Sequence, residues 1–289
     1  MWLHADKIDL TQLQIPEDKF VNLDKDTRIA YKNIGKGPVV FCIPPWPSGS
    51  SAFVPFAHSV RQHLNIIALD LPGWGGYSSP MKEKPTLENY ARLIAQFIEH
   101  FQFEEYSLLG YSFGGAMIQQ MLKLDLVHPK KIVYVSTIHS GDDLERENIA
   151  AIKAYRLMKS LHIPGKVIKE LVALFVGKLT RLNKDKFYKY YVGTKIHTAI
   201  VEEDLRGDIN AIFGALFSLI ETELLNPDQA KIDSLVVYAD SDIDFIKKGS
   251  REIAEFLEIV PTYLENVDHD HFTFDVNKSA DIILNFLTS

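Results

Sequence analysis

The sequence predicts an α/β protein: a mostly parallel sheet flanked by helices, with a helical block inserted in its second half. Three observations carry that expectation. Short, wholly apolar runs alternate with segments of helical period from about residue 37 to residue 137. Between about Ser140 and Asn226 the alternation stops and only helical patterns follow one another. Beyond that block it resumes and continues to residue 289. The expected units are therefore 1–139 and 227–289 for the two parts of an α/β core and 140–226 for the insertion.

The elements follow in order. "DKFVNLD" and "TRIAYKNIG" alternate apolar and polar residues across a short polar turn, which predicts an antiparallel hairpin. "GPVVFCI" and "NIIALDL" are continuous apolar runs, the pattern of strands buried on both faces. From Leu87 to Phe101 the period changes. Leu87, Tyr90, Leu93, Ile94, Phe97, Ile98 and Phe101 recur at helical spacing behind Thr86, a predicted N-cap. "YSLLG" is a further buried strand, "GAMIQQMLKLDL" a helix and "KKIVYVST" a strand. In the block, "NIAAIKAYRLMKSL", "GKVIKELVALFVGKL" and "DINAIFGALFSLIETELL" are helical. The strand "SLVVYAD", the helix "GSREIAEFLE", the strand "TYLENV" and the helix "KSADIILNFLTS" close the chain. Because the block enters straight after a strand's C-terminal end, it is expected to cover the edge where open α/β sheets bind ligands.

Composition narrows the function. The 289 residues are 46% hydrophobic and 24% charged, ordinary for a globular protein that buries its own core. A formal net charge of -7 argues against nucleic acid as a partner, since phosphate binding favours a basic surface. The single cysteine, Cys42, excludes an intramolecular disulfide and a cysteine-based zinc site. No apolar run reaches membrane-spanning length. "MWLHADKIDL" mixes charges from its start and has no apolar h-region, so no signal peptide and a cytoplasmic location are expected.

The chemistry concentrates at "LLGYSFGGAM". Gly110-Tyr111-Ser112-Phe113-Gly114 is a G-x-S-x-G pattern between a buried strand and a helix. A serine on so tight a turn is held in strained geometry with its hydroxyl exposed, and side chains at the flanking glycines would strike the neighbouring strand and helix. The helix N-terminus behind Ser112 offers backbone N–H groups to a developing oxyanion.

With these residues the chain resembles the α/β-hydrolase fold superfamily, in particular its serine-nucleophile, esterase- or lipase-like members with a helical cap. "GPVVFCIPPWPSGS" is similar to the family's strand and oxyanion loop, and "NIIALDLPGWGGYSSP" to its D-x-P-G-x-G-x-S segment. The elbow "GYSFGG" and the pair "VVYADSD" and "ENVDHDHF" complete the resemblance, which covers nearly the whole chain outside the helical block. It implies an eight-stranded, mostly parallel sheet and a nucleophile, acid, histidine order of the triad. It also implies oxyanion donors at the N–H groups of Phe113 and Trp46. The family usually carries His-Gly where this chain has Pro44-Pro45, but Trp46 itself keeps its N–H.

For the acid, the family's G-x-x-D ending matches Ala239-Asp240-Ser241-Asp242 and selects Asp242. Asp240 is the runner-up, and Asp142 or Asp143 fits a placement one strand earlier. For the base, "ENVDHDHF" offers two histidines. Asn266-Val267-Asp268-His269 fits the family's N-x-G-H count and selects His269, whereas His271-Phe272 matches a frequent H-F pair. The histidine not used is expected at the rim of the site. No metal is expected there: an H-x-H-x-D-H pattern would need Asp and His where the chain has Thr273 and Phe274, and H-E-x-x-H is absent.

The resemblance thus implies a cofactor-free serine hydrolase acting on a small-molecule acyl substrate. Serine at the elbow argues against the aspartate chemistry of haloalkane dehalogenases and epoxide hydrolases. Ester hydrolysis is the leading activity. A C–C bond hydrolase, an aminopeptidase and a non-catalytic ligand-binding protein of the same fold stay open at this point. So does a partner- or headgroup-binding role for the Lys- and Tyr-rich "NKDKFYKYYVGTK".

Overall fold

The structure, a computed structural model, describes residues 2–141, 194–224 and 232–289, with isolated positions between 153 and 167. Eight strands form one sheet: β1 (Lys19–Asn22), β2 (Arg28–Gly35), β3 (Val39–Ile43), β4 (Asn65–Leu69), β5 (Ser107–Tyr111), β6 (Lys131–Val135), β7 (Asp233–Ala239) and β8 (Thr262–Leu264). Their order is β1-β2-β4-β3-β5-β6-β7-β8. β1 and β2 pair antiparallel, as do β2 and β4, and every pair from β4 to β8 is parallel.

Among the described residues the helices are α1 (Val54–Val60), α2 (Leu87–His100), α3 (Phe113–Lys123), α4 (Lys195–Arg206), α5 (Ile209–Ile220), α6 (Asp244–Phe256), α7 (His271–Phe274) and α8 (Ala280–Thr288). A short 3-10 helix, Ser50–Phe53, leads into α1. The period-2 alternation of β3 divides the core. Val39, Phe41 and Ile43 face a layer filled by α2, α3 and α6, and Val40 and Cys42 face one filled by α1 and α8. Thr86 caps α2, its side chain accepting from Asn89 N–H at 3.2 Å.

Some boundaries differ from the sequence reading. α6 starts at Asp244, five residues before the expected "GSREIAEFLE", and β8 keeps only the first three residues of "TYLENV". Both the Ser50–Val60 segment and α4 are helices that the apolar pattern does not announce. The first is buried almost all round, which erases its period. In α4 the buried face carries Glu203 beside Ile196, so apolar spacing breaks down. Thr194, whose side chain accepts from His197 N–H, was the available signal for α4.

Within the block, α5 matches the expected "DINAIFGALFSLIETELL" helix. The other two expected helices, over 148–161 and 165–179, and the stretch 183–195 lie wholly or mostly outside the described residues, as do Asp142 and Asp143. α5 adds Ala211, Ile212, Ala215, Leu216 and Leu219 to the α2–α3 core layer. α4 is tied down differently, through buried charge. Lys32 Nζ on β2 reaches Asp18 at 2.7 Å, Ser50 Oγ at 3.0 Å and Glu203 Oε1 at 3.5 Å. Ser51 donates its hydroxyl to the same Glu203 oxygen, and Ser50 N–H donates to Asp70 at 2.6 Å. Burial, helped by the nearby Asp70 charge, pushes the Glu203 carboxyl up to about 7. No helix among the described residues is long and apolar enough to cross a membrane.

Candidate active site

The loops after β3, β5, β6, β7 and β8 all leave the same, carboxyl edge of the parallel strands, and the candidate residues sit on them. Ser112 occupies the turn between β5 and α3. Its φ of 53 and ψ of -116 lie where an L-residue is strained, so the turn must be held from outside. Ser112 N–H donates to Val135 O at 2.8 Å, and Ser112 O accepts from Thr137 Oγ1 at 3.0 Å. The glycines on either side permit the close approach. A Cβ on Gly110 would come within 2.6 Å of Gly115 N, and one on Gly114 would collide with Ile43 O at the end of β3.

That last contact also places the Pro44–Trp46 loop against the start of α3. Phe113 is the first residue of α3, so its N–H has no acceptor within the helix. The Trp46 indole turns outward from the sheet. Its Nε1 donates to Ile212 O of α5 at 2.9 Å, and its ring meets Phe213 edge-on at 5.7 Å.

The two histidines separate cleanly. His269 Nε2 lies 3.1 Å from Ser112 Oγ, and its Nδ1 lies 2.8 Å from Asp242 Oδ1. Tyr111, the neighbour of Ser112, donates its hydroxyl to His269 O at 2.6 Å and so fixes the loop from the nucleophile side. His271 points elsewhere: its side chain is buried at 1% exposure, with Nε2 3.2 Å from Ser136 Oγ. The expectation of a rim position for it is therefore corrected. Residue 271 opens α7, and the helix rolls its ring inward against the end of β6. The two rings contact different serines, a divergence unsuited to joint metal chelation.

The aspartates separate in the same way. Asp242 is 5% exposed and meets both His269 Nδ1 and Ile243 N–H through Oδ1. Asp240 instead accepts the N–H groups of Asn266 and Val267 at 3.0 and 3.2 Å, fastening the loop that carries His269. Those backbone hydrogen bonds hold its carboxyl below the ordinary value. Burial opposes charge on His269, but the hydrogen bond and charge of Asp242, with Asp270 and Asp268 behind them, leave the imidazole above its ordinary value. His271 goes the other way, burial taking it down to about 4. The role of Glu203 in seating α4 had no sequence signal, because its partners Lys32, Ser51 and Asp70 are distant in the chain.

Comparisons with known proteins bear on the fold. The protein-family model described as alpha/beta hydrolase fold matches residues 38–158. A pimeloyl-[acyl-carrier protein] methyl ester esterase of Pseudoalteromonas atlantica is 26% identical over 153 residues, covering 51% of this chain and 57% of that protein. The chain spans about half the length of the curated relatives it matches, or less: 57%, 29% and 42% for three of them. Among solved structures, the Bacillus megaterium epoxide hydrolase superposes with a TM-score of 0.73 at 16% identity, over 94% of this chain and 100% of that one. The enol-lactonase of Burkholderia xenovorans LB400 does so with a TM-score of 0.70 at 15% identity, again over 94% and 100%. At such identities these two structures speak for the fold.

Proposed function

We propose that this chain, an α/β-hydrolase-fold protein, is a serine hydrolase that cleaves a carboxylic ester, or a related acyl bond, of a small, largely apolar substrate. The observation that carries the reading is the continuous path from Ser112 Oγ through His269 to Asp242, at 3.1 and 2.8 Å, on a strained elbow. In the first half-reaction Ser112 Oγ attacks the acyl carbon while His269 Nε2 takes the hydroxyl proton. Asp242 holds the Nδ1–H tautomer and stabilises the imidazolium. The N–H groups of Trp46 and Phe113 receive the oxyanion. As the tetrahedral intermediate collapses, the imidazolium gives its proton to the departing alkoxide and an acyl-enzyme remains. Water then repeats the sequence: His269 takes its proton, the acid leaves, and Ser112 recovers its hydrogen.

Residues 140–226 act in this reading as a cap over the site. Supporting it, α5 lays Ile212 and Phe213 against Trp46, and α4 joins the same loop through Ser48, whose hydroxyl donates to Asp204 at 3.0 Å. The apolar residues that α5 sets against the Trp46 loop favour an acyl group without charge. The esterase named among the relatives supports ester chemistry at family level.

The test is hydrolysis of p-nitrophenyl esters of graded acyl length, with fluorophosphonate labelling of Ser112 measured in parallel. Short and medium acyl esters should turn over, and the label should map to Ser112. A folded protein that neither hydrolyses any ester nor takes the label would overturn the proposal and bring the ligand-binding reading forward.

A further inference from the structure

His271 is the histidine of "HDHF" that the proposed reaction leaves unused, yet among the described residues its side chain is one of the most deeply buried polar ones. Its backbone is fixed at both ends. Its N–H donates to Asp268 O at 3.2 Å, and its carbonyl accepts from Asp275 N–H at 2.8 Å. The ring is directed to Ser136, which follows β6 with a left-handed φ of 43. Ser136 N–H donates to Val237 O of β7, and Val135, just before it, accepts from Ser112 N–H. Because β6 lies between β5 and β7, Ser136 sits in the gap between the turn bearing Ser112 and the turn bearing Asp242. The His271 ring thereby reaches the end of the strand that lies between the nucleophile's strand and the acid's.

Two buried polar atoms in this region have no hydrogen-bond partner among the described residues: Asp242 Oδ2 and His271 Nδ1. They are complementary. A carboxylate oxygen only accepts, and an imidazole that accepts at Nε2 from the Ser136 hydroxyl carries its hydrogen on Nδ1 and donates there. A buried carboxylate oxygen left without a donor is costly, which favours a link between the two through a bridging water. Meanwhile both contacts already made by Asp242, to His269 and to Ile243 N–H, fall on Oδ1. Among the described residues no group on Oδ2 fixes the rotation of the carboxylate. Burial keeps His271 far below its ordinary value, at about 4, with Asp242 the first charge acting in the opposite direction. The ring is therefore uncharged at neutral pH and does not compete with the imidazolium of His269.

On the serine-hydrolase reading, we propose that His271 is a positioning residue: paired with Ser136, it directs a hydrogen bond across one water to Asp242 Oδ2 and keeps Oδ1 aimed at His269. The site then contains two His–Ser pairs with different tasks. His269 and Ser112 react, while His271 and Ser136 hold the acid that orients His269.

The experiment uses the full chain and p-nitrophenyl butyrate, with His271→Phe, His271→Gln and Ser136→Ala made in the wild-type and Asp242→Asn backgrounds. His271→Phe fills the space without donating and should lower kcat about tenfold at unchanged KM, slowing fluorophosphonate labelling in parallel. His271→Gln retains a donor and should recover most of the loss. In Asp242→Asn the His271→Phe change should cost no more than about twofold further, because its route to the reaction runs through the carboxylate. If His271→Phe does not fold, Ser136→Ala reads the same coupling. A wild-type kcat and labelling rate in His271→Phe, or an undiminished penalty in the Asp242→Asn background, would overturn the positioning role while the Ser112 nucleophile stands. Wild-type protein that takes no label at Ser112 would sink both together.

Discussion

His269 Nε2 lies 3.1 Å from Ser112 Oγ although 157 residues separate the two in the chain. The contact is held on both sides, by Tyr111 reaching the His269 carbonyl and by Asp240 gripping the loop backbone just before it. Ser112→Ala should accordingly abolish fluorophosphonate labelling and ester turnover while leaving the melting temperature almost unmoved, since the hydroxyl contributes little packing. Labelling at the wild-type rate in that variant would remove Ser112 from its role.

On the proposed mechanism, the ionisation of His269 sets the acidic limb of the rate. A base works deprotonated, so kcat/KM should rise with pH through the imidazole pKa of the free enzyme. The structure puts that pKa above the ordinary 6.5, through Asp242, Asp270 and Asp268 acting against burial. Asp270→Asn should move the limb to lower pH, with little change in the plateau. His269→Ala should lose on the order of 10³-fold or more in kcat, and Asp242→Asn roughly 10⁴-fold. A limb unmoved by Asp270→Asn would show that this carboxylate does not act on the base.

Gly114→Ala tests the elbow's packing. The added methyl would collide with the Ile43 carbonyl, which is backbone and cannot step aside cheaply. A loss of about 3 kcal/mol or more in denaturant unfolding is expected, at or above the upper end of what single substitutions ordinarily cost. A variant as stable as wild type would mean that β3 and α3 can separate.

Glu203 makes stability depend on pH. Its carboxyl rises from 4.5 to about 7 in the folded protein, with burial the first cause. A group whose pKa is raised on folding holds its proton more tightly when folded. Its contribution is complete below pH 4.5 and is lost as the pH climbs to about 7. Between pH 5 and 8 the melting temperature of wild type should therefore fall relative to that of Glu203→Gln. A gap of a few degrees is expected, since about 1 kcal/mol moves a domain of 150–250 residues by roughly 2–4 °C. Parallel pH curves for the two proteins would show that Glu203 does not take up the proton.

What the sequence revealed was whatever short-range sterics enforce. The Thr86 cap, the wholly buried β3 and β5, and the glycines around Ser112 each follow from rules spanning a few residues. The resemblance to the family's N-x-G-H and G-x-x-D endings, not local sterics, singled out His269 and Asp242, two side chains that do meet in space. Burial of individual polar residues was not legible. Whether His271 lies at a rim or under the sheet edge depends on how α7 rolls against β6, and no neighbour in sequence records that angle. The same holds for Glu203, whose surroundings are assembled from β2, the loop after β3 and the end of β4.

Trp46 gives the molecule a hidden dependency. Its main chain follows Pro44, whose carbonyl lies against Gly114 at the start of α3, while its indole is committed to a carbonyl and an aromatic edge on α5. Exchanging residues 140–226 for the corresponding block of a relative would thus alter more than the shape of the entrance. A transplanted block lacking an acceptor above Trp46 would release the loop next to Ser112, and such a chimaera would lose turnover with every reacting side chain intact. Repair would then come from resizing residue 46 to suit its new ceiling, with the nucleophile left alone.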